Sequence, residues 1–92
     1  MMYRLVIEDS FRKAYEKLSK NEQKTTDRKL ILLANDPWHK SLRVKKIQTT
    51  ELFECSVNMD VRIAFRFVED TLIILLDIDH HDTLLRRAKR RS

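Results

Sequence analysis

Arg62 and Arg66 stand four residues apart in Val61-Arg62-Ile63-Ala64-Phe65-Arg66-Phe67, a stretch whose apolar residues alternate. In a strand this pattern buries Val61, Ile63, Phe65 and Phe67 on one face. Both arginines then share the other face, roughly 13 Å apart. Two guanidinium groups so placed can clamp successive phosphates, or each can pair with an acid such as Glu54 or Glu69. A second group is Asp79-His80-His81-Asp82. Imidazole titrates near neutrality and can take or give a proton, so histidines held at the end of a rigid strand are acid–base candidates. Asp82 can equally cap a following helix, and one histidine can pack beneath it. A metal site of His80, His81, Asp82 and His39 is disfavoured, because adjacent strand residues point to opposite faces.

Cations gather in two further places. Arg86-Arg87-Ala88-Lys89-Arg90-Arg91 carries five in six positions, and Arg43, Lys45 and Lys46 form a smaller group. Both suit phosphates, although cations at a helix end also favour the negative pole of its dipole. Cys55 falls on the core side of its strand and reads as a small apolar residue, not a nucleophile. The chain has no glycine and therefore no Gly-rich phosphate loop; it has no CxxC pair or nucleophile elbow either. Most nucleotide hydrolases and zinc ribbons are thereby excluded.

The elements that must position these residues follow from periodicity. Tyr3 to Ile7 reads as a strand. Phe11, Ala14, Tyr15 and Leu18 then form one face of a helix capped by Asp9 or Ser10. Ser19-Lys20-Asn21 interrupts, and a second helix runs from Glu22 to Ala34, stopped by Asn35-Asp36-Pro37. Leu42 to Lys45 alternates as a short strand with Arg43 and Lys45 on its basic side. Leu52 to Val57 puts Phe53, Cys55 and Val57 on one face and Glu54 and Ser56 on the other. After the arginine strand, Thr71 to Ile78 is apolar on both faces apart from Asp77, as a central covered strand should be. A final helix runs from Thr83 to about Arg90. The expectation is an α+β fold: an N-terminal strand and helical hairpin on a mainly antiparallel sheet of about four to five strands, closed by a C-terminal helix.

At 92 residues the chain is expected to be a single domain over 1–92, with 42% apolar residues for a core and 36% charged residues. The net charge of +5 favours polyanionic partners. One cysteine permits no internal disulfide, which fits a reducing cytoplasm. The longest apolar run, Leu72 to Leu76, is far short of the roughly 18 residues that cross a bilayer, so neither a membrane nor a signal peptide is expected.

Several of these segments, in order, resemble the RelE/ParE superfamily of bacterial and archaeal toxins over nearly the whole chain. They are Ser10-Phe11 before a leucine-spaced helix, the Asp36-Pro37 stop, Lys45-Lys46-Ile47, Leu52-Phe53, the Val61-Arg62-Ile63-Ala64-Phe65 strand and the Asp79-His80-His81-Asp82 corner. The resemblance implies the toxin of a type II toxin–antitoxin system. RelE-like members enter the ribosomal A site, cut mRNA without a metal or other cofactor, and are neutralised by a cognate antitoxin. It further implies that Arg62 is the phosphate-stabilising arginine, that His80 or His81 is the acid or base, with Glu54 or Asp82 as its carboxylate partner, and that Arg43, Lys45, Lys46, Arg66, Arg86 and Arg87 bind RNA. The pattern departs in two places: Glu54 and Ser56 stand where RelE places lysines, and Leu85 stands where a tyrosine often follows the corner. Those departures suit the ParE branch, which poisons DNA gyrase without cutting RNA. A similar Asp-His-His-Asp segment in parts attached to some DNA helicases also suits a noncatalytic nucleic-acid-binding role.

Overall fold

A computed structural model describes residues 2–91. The elements are β1 (Arg4–Ile7), α1 (Asp9–Glu16), α2 (Lys20–Asn35), a 3-10 turn (Lys40–Leu42), β2 (Lys45–Lys46), β3 (Phe53–Ser56), β4 (Val61–Val68), β5 (Leu72–His80) and α3 (His81–Arg91). The strands make one mixed sheet in the order β1-β5-β4-β3-β2, in which β1 runs parallel to β5 and the other neighbours pair antiparallel. No described helix is long and apolar enough to cross a membrane. The α+β class, the strand number, the mainly antiparallel pairing and the C-terminal helix all agree with expectation.

Both faces of the sheet are covered. Phe11 and Leu33 of the α1–α2 hairpin join Cys55, Val61, Ile63, Phe65, Ile73, Leu75 and Ile78 in one core. On the opposite face, Leu84 and Ala88 of α3 pack on Ile47, Leu52, Ala64 and Leu76. Spacing by four residues puts Leu84 and Ala88 on one side of α3, so burial fixes which of its other residues turn outward.

The alternation of β5 is broken once. Ala64 faces Asp77 across the sheet and Phe65 faces Leu75, which leaves Leu76 as an extra residue in a β-bulge. Unbroken alternation would send Asp77 after Ile73 and Leu75 into the hairpin-side core. The bulge instead puts Leu76 and Asp77 both on the α3 side and returns Ile78 to the hairpin core. Ser10 Oγ donates to the carbonyl of Leu76 at 2.6 Å, so Ser10 holds the bulge. Ser10 is therefore not the cap expected of it: the residue before α1 is Glu8, and no side chain caps that helix.

Asp77 is buried beneath α3, where Arg87 meets it through Nε at 2.8 Å and Nη2 at 3.0 Å. The same Nη2 reaches Asp79 at 2.7 Å. Burial pushes the Asp79 carboxyl up, but the His80 N–H and the Arg87 guanidinium outweigh it and hold the group below its ordinary value. Hydrogen bonding to Asp77 is the main cause that raises the guanidinium.

Several boundaries differ from the sequence expectation, α1 ending at Glu16 short of Leu18 and β5 running on past Ile78 to His80. Helix α2 begins at Lys20, because Ser19 and Glu22 form a reciprocal capping box. The alternation of Leu42 to Lys45 is not a strand: Arg43 takes a left-handed conformation with φ 50° after the 3-10 turn, and pairing begins only at Lys45. Helix α3 starts at His81, so His81 and Asp82 lie in its first turn and not in a preceding loop.

Arg87→Ala is expected to lower the unfolding free energy by about 2 kcal/mol in urea titration, since it leaves the buried Asp77 unpaired while Arg87 itself is 40% exposed. The double variant Asp77→Ala/Arg87→Ala should cost less than the sum of the two single changes.

Candidate active site

Glu54 was expected on the face of β3 opposite Phe53 and Cys55, and there its side chain is only 4% exposed. Residue 54 does point away from the hairpin core, but α3 covers that face. Its Oε1 lies 3.9 Å from Nε2 of His81 and 3.7 Å from Nε of Arg62. One carboxylate oxygen thus stands between an imidazole and a guanidinium, at ion-pair distances from both. His81 is 39% exposed and has a second carboxylate, Asp82, at 3.6 Å from Nδ1. The Asp82 side chain itself is almost fully exposed, in the first turn of α3, where an acid favours the positive pole of the helix.

Glu54 and His81 form part of the wall of a cavity of about 240 Å³, whose rim carries Lys45, Lys46 and Lys89 and whose apolar side is Ile47 and Leu85. Two elements supply the lysines: Lys45 and Lys46 come from β2, and Lys89 comes from α3 two turns beyond His81. Lys45 pairs with Glu54 and shares its face, whereas Lys46 pairs with Phe53 and sends its side chain to the other face, so it lines the cavity through its backbone side. A concave site with the side chains of Lys45 and Lys89, a carboxylate and an imidazole suits a phosphodiester with an ionisable hydroxyl beside it.

The two histidines, adjacent in sequence, diverge. His80 is the last residue of β5 and pairs across the sheet with Val61, whose side chain belongs to the hairpin core. Its Nδ1 binds the Asp60 carboxylate, while the residue lines a different cavity with Lys13 of α1, Lys17 just past the end of that helix and Glu22 of α2. The Asp60 hydrogen bond and charge raise the imidazole above its ordinary value near 6.5.

The remaining expected residues are scattered. Arg62 is 15% exposed, close to Glu54 but outside the lysine-lined cavity. Arg66 is exposed farther along β4, beside Glu51, Leu52 and Arg91. Arg43 is exposed in the left-handed turn, and Arg86 is exposed on α3. The guanidinium of Arg87 is engaged by two carboxylates, so the RNA-binding role expected of it gives way to a structural one. His39 accepts a hydrogen bond from the Ser41 N–H and stabilises the 3-10 turn. Burial pushes the Cys55 thiol up to about 12, which removes it from nucleophilic chemistry at neutral pH. Gln48 lines the cavity without having been singled out in the sequence, and Lys89, named there only as part of the basic 86–91 run, lines it too. The signal for Lys89 was helical spacing: it follows Leu85 by four residues and His81 by eight, and so shares their face.

No family model matches the chain, and no curated protein does. Solved structures do match. The RelE of an archaeal RelE–RelB complex from Pyrococcus horikoshii is 22% identical, with 87% of this chain and 96% of that one covered and a TM-score of 0.72. The toxin–antitoxin complex RelBE2 from Mycobacterium tuberculosis gives 18% identity, 88% and 93% coverage and a TM-score of 0.74. YafQ from E. coli gives 15%, 89% and 97%, and again 0.74. At these identities the likeness is one of fold. In its fold, the chain stands with the RelE and YafQ toxins.

Proposed function

We propose that this chain is a toxin that cleaves mRNA on the ribosome without a metal, and that a cognate antitoxin protein neutralises it. The observation that carries the reading is the buried Glu54 carboxylate set beside His81 in a cavity rimmed by Lys45 and Lys89. The ribosomal setting rests on the resemblance in sequence and fold. The antitoxin rests on neighbours whose structures are toxin–antitoxin complexes.

The chemistry needs one group to take a proton and one to give it. Glu54 accepts the ribose 2′-OH proton as the 2′ oxygen forms its bond to phosphorus. His81 donates a proton to the 5′ oxygen as the P–O5′ bond breaks. The products are a 2′,3′-cyclic phosphate and a 5′-OH, and both groups return to their starting states by exchange with water. Lys45 and Lys89 supply positive charge where the phosphate gains negative charge. The lysines missing from β3 thus have counterparts on β2 and α3. His80 is excluded from this role by direction, since it faces the other side of the sheet and is bound to Asp60.

Primer extension on mRNA in a translating extract tests the reading. Wild-type protein should produce cuts ending in a 2′,3′-cyclic phosphate, and Glu54→Gln or His81→Gln should slow them roughly a hundredfold or more. His80→Gln should cost less than tenfold. Absence of cuts by wild-type protein, accompanied by inhibition of gyrase supercoiling, would move the chain to the ParE-like alternative.

The state of His80 can be followed separately by NMR. Its imidazole should titrate above its ordinary value near 6.5, and Asp60→Asn should bring it down. Because the folded value is raised, the His80–Asp60 pair contributes fully below the ordinary histidine range and is lost as pH rises through the raised value.

A further inference from the structure

Strand phase left Arg62 either to meet a phosphate or to pair with an acid such as Glu54, and its guanidinium is turned toward Glu54. Nη1 donates to the Asn58 carbonyl at 2.6 Å and to the Val61 carbonyl at 3.2 Å, while Nε lies 3.7 Å from Glu54 Oε1. We infer that Arg62 is a positioning residue that fixes the Glu54 carboxylate, that the Asn58–Met59–Asp60 turn holds Arg62 in place, and that phosphate binding falls to Lys45 and Lys89. The inference rests on the proposed nuclease reading for its catalytic consequence, though not for its geometry.

The turn has the anchors such a role requires. Asn58 Oδ1 accepts from the N–H groups of Asp60 at 2.8 Å and Val61 at 2.7 Å, which closes the turn on itself. The Val57 N–H donates to the Val61 carbonyl at 2.9 Å and ties it to both strands. The Asp60 carbonyl accepts from the His81 N–H at 2.9 Å, and the Asp60 carboxylate is bound by His80. The turn is therefore fastened to the first residue of α3, the helix that carries His81, even though Met59 at its tip is 95% exposed.

A fixed Asn58 carbonyl fixes Arg62. The guanidinium has five donors in a rigid plane, and with Nη1 on two carbonyls its Nε edge is directed at Glu54. Swinging out to a phosphate would break both carbonyl bonds and leave a buried carboxylate without its guanidinium neighbour, which is costly. The lysines bear no such duty: among the described residues neither Lys45 nor Lys89 forms an ion pair, and both are exposed at the cavity rim.

The test separates binding from cleavage. Affinity is measured against salt with an RNA oligonucleotide made uncleavable by 2′-O-methyl groups, and cleavage is measured in a translating extract. Arg62→Ala should bind within about twofold of wild type with the same salt slope, yet cleave roughly a hundredfold more slowly. Lys45→Ala and Lys89→Ala should weaken binding and reduce the slope by about one each. Asn58→Ala should slow cleavage in the same way as Arg62→Ala, and Asn58→Asp, which keeps the accepting oxygen, should restore it.

By NMR, the Arg62 Nε–H signal should be sharp and slow to exchange in wild type and broadened in Asn58→Ala. Asp60→Ala serves as a second variant should Asn58→Ala fail to fold. An Arg62→Ala protein that loses affinity and salt slope as the lysine variants do overturns the inference, as does an Arg62 signal untouched by both turn variants. If wild-type protein cuts no RNA, the nuclease reading fails by itself, and the NMR comparison still decides whether the turn holds Arg62.

Discussion

The bulge in β5 is the constraint on which the rest of this molecule depends. A strand covered on both faces has no place for a charged side chain, and Asp77 lies in the middle of one. One extra residue shifts the phase so that Asp77 faces α3, where the Arg87 guanidinium lies within hydrogen-bond distance of both its carboxylate oxygens. The Ser10 hydroxyl on the Leu76 carbonyl holds that geometry from the side of α1. Removing any one of the three parts leaves a buried polar group unsatisfied, so bulge, serine and ion pair stand or fall together.

The seating of α3 follows from that clamp and from the burial of Leu84 and Ala88. The helix in turn decides what the site contains. His81 opens its first turn and Lys89 lies two turns on, so a helix rotated by even a third of a turn would withdraw both from the cavity with Glu54. The break from strand to helix between His80 and His81 also sends two identical side chains to different surroundings. One becomes the anchor of a turn and the other the neighbour of a buried carboxylate.

Much of the fold was legible because its signals are local. The helix periodicity of Phe11, Ala14 and Tyr15, the alternation in β4 and the two-sided apolar run of β5 all correspond to observed elements. Glu54 was assigned to the correct side of β3 and named as a partner for an arginine or a histidine, but its burial was not legible. Alternation tells which face a residue takes, and it cannot tell that a helix thirty residues later will cover that face. For the same reason the bulge was invisible: Leu75-Leu76-Asp77-Ile78 reads as strand in either phase. The basic strand at Leu42 to Lys45 was misread because alternation over four residues also arises in a turn, and the left-handed Arg43 carries no glycine or asparagine to announce it.

The distribution of charge in the site has a consequence for what its cations can do. Had the cations stood on β3, where the RelE pattern places lysines, they would be covered by α3 as Glu54 is, and each would bear a desolvation cost. On β2 and the outer turn of α3 they stay hydrated at the rim, able to meet a flexible polyanion from outside. The buried position then falls to a carboxylate, which a single guanidinium can neutralise from within the protein, as Arg62 does from the sheet side. Under the proposed function, charge for holding the ligand is separated from the groups for moving protons, with hydrated lysines outside, a desolvated carboxylate inside and a half-exposed imidazole between them. A proton-transfer pair gains from low dielectric and a polyanion clamp gains from exposure, so one strand could not have served both needs at once.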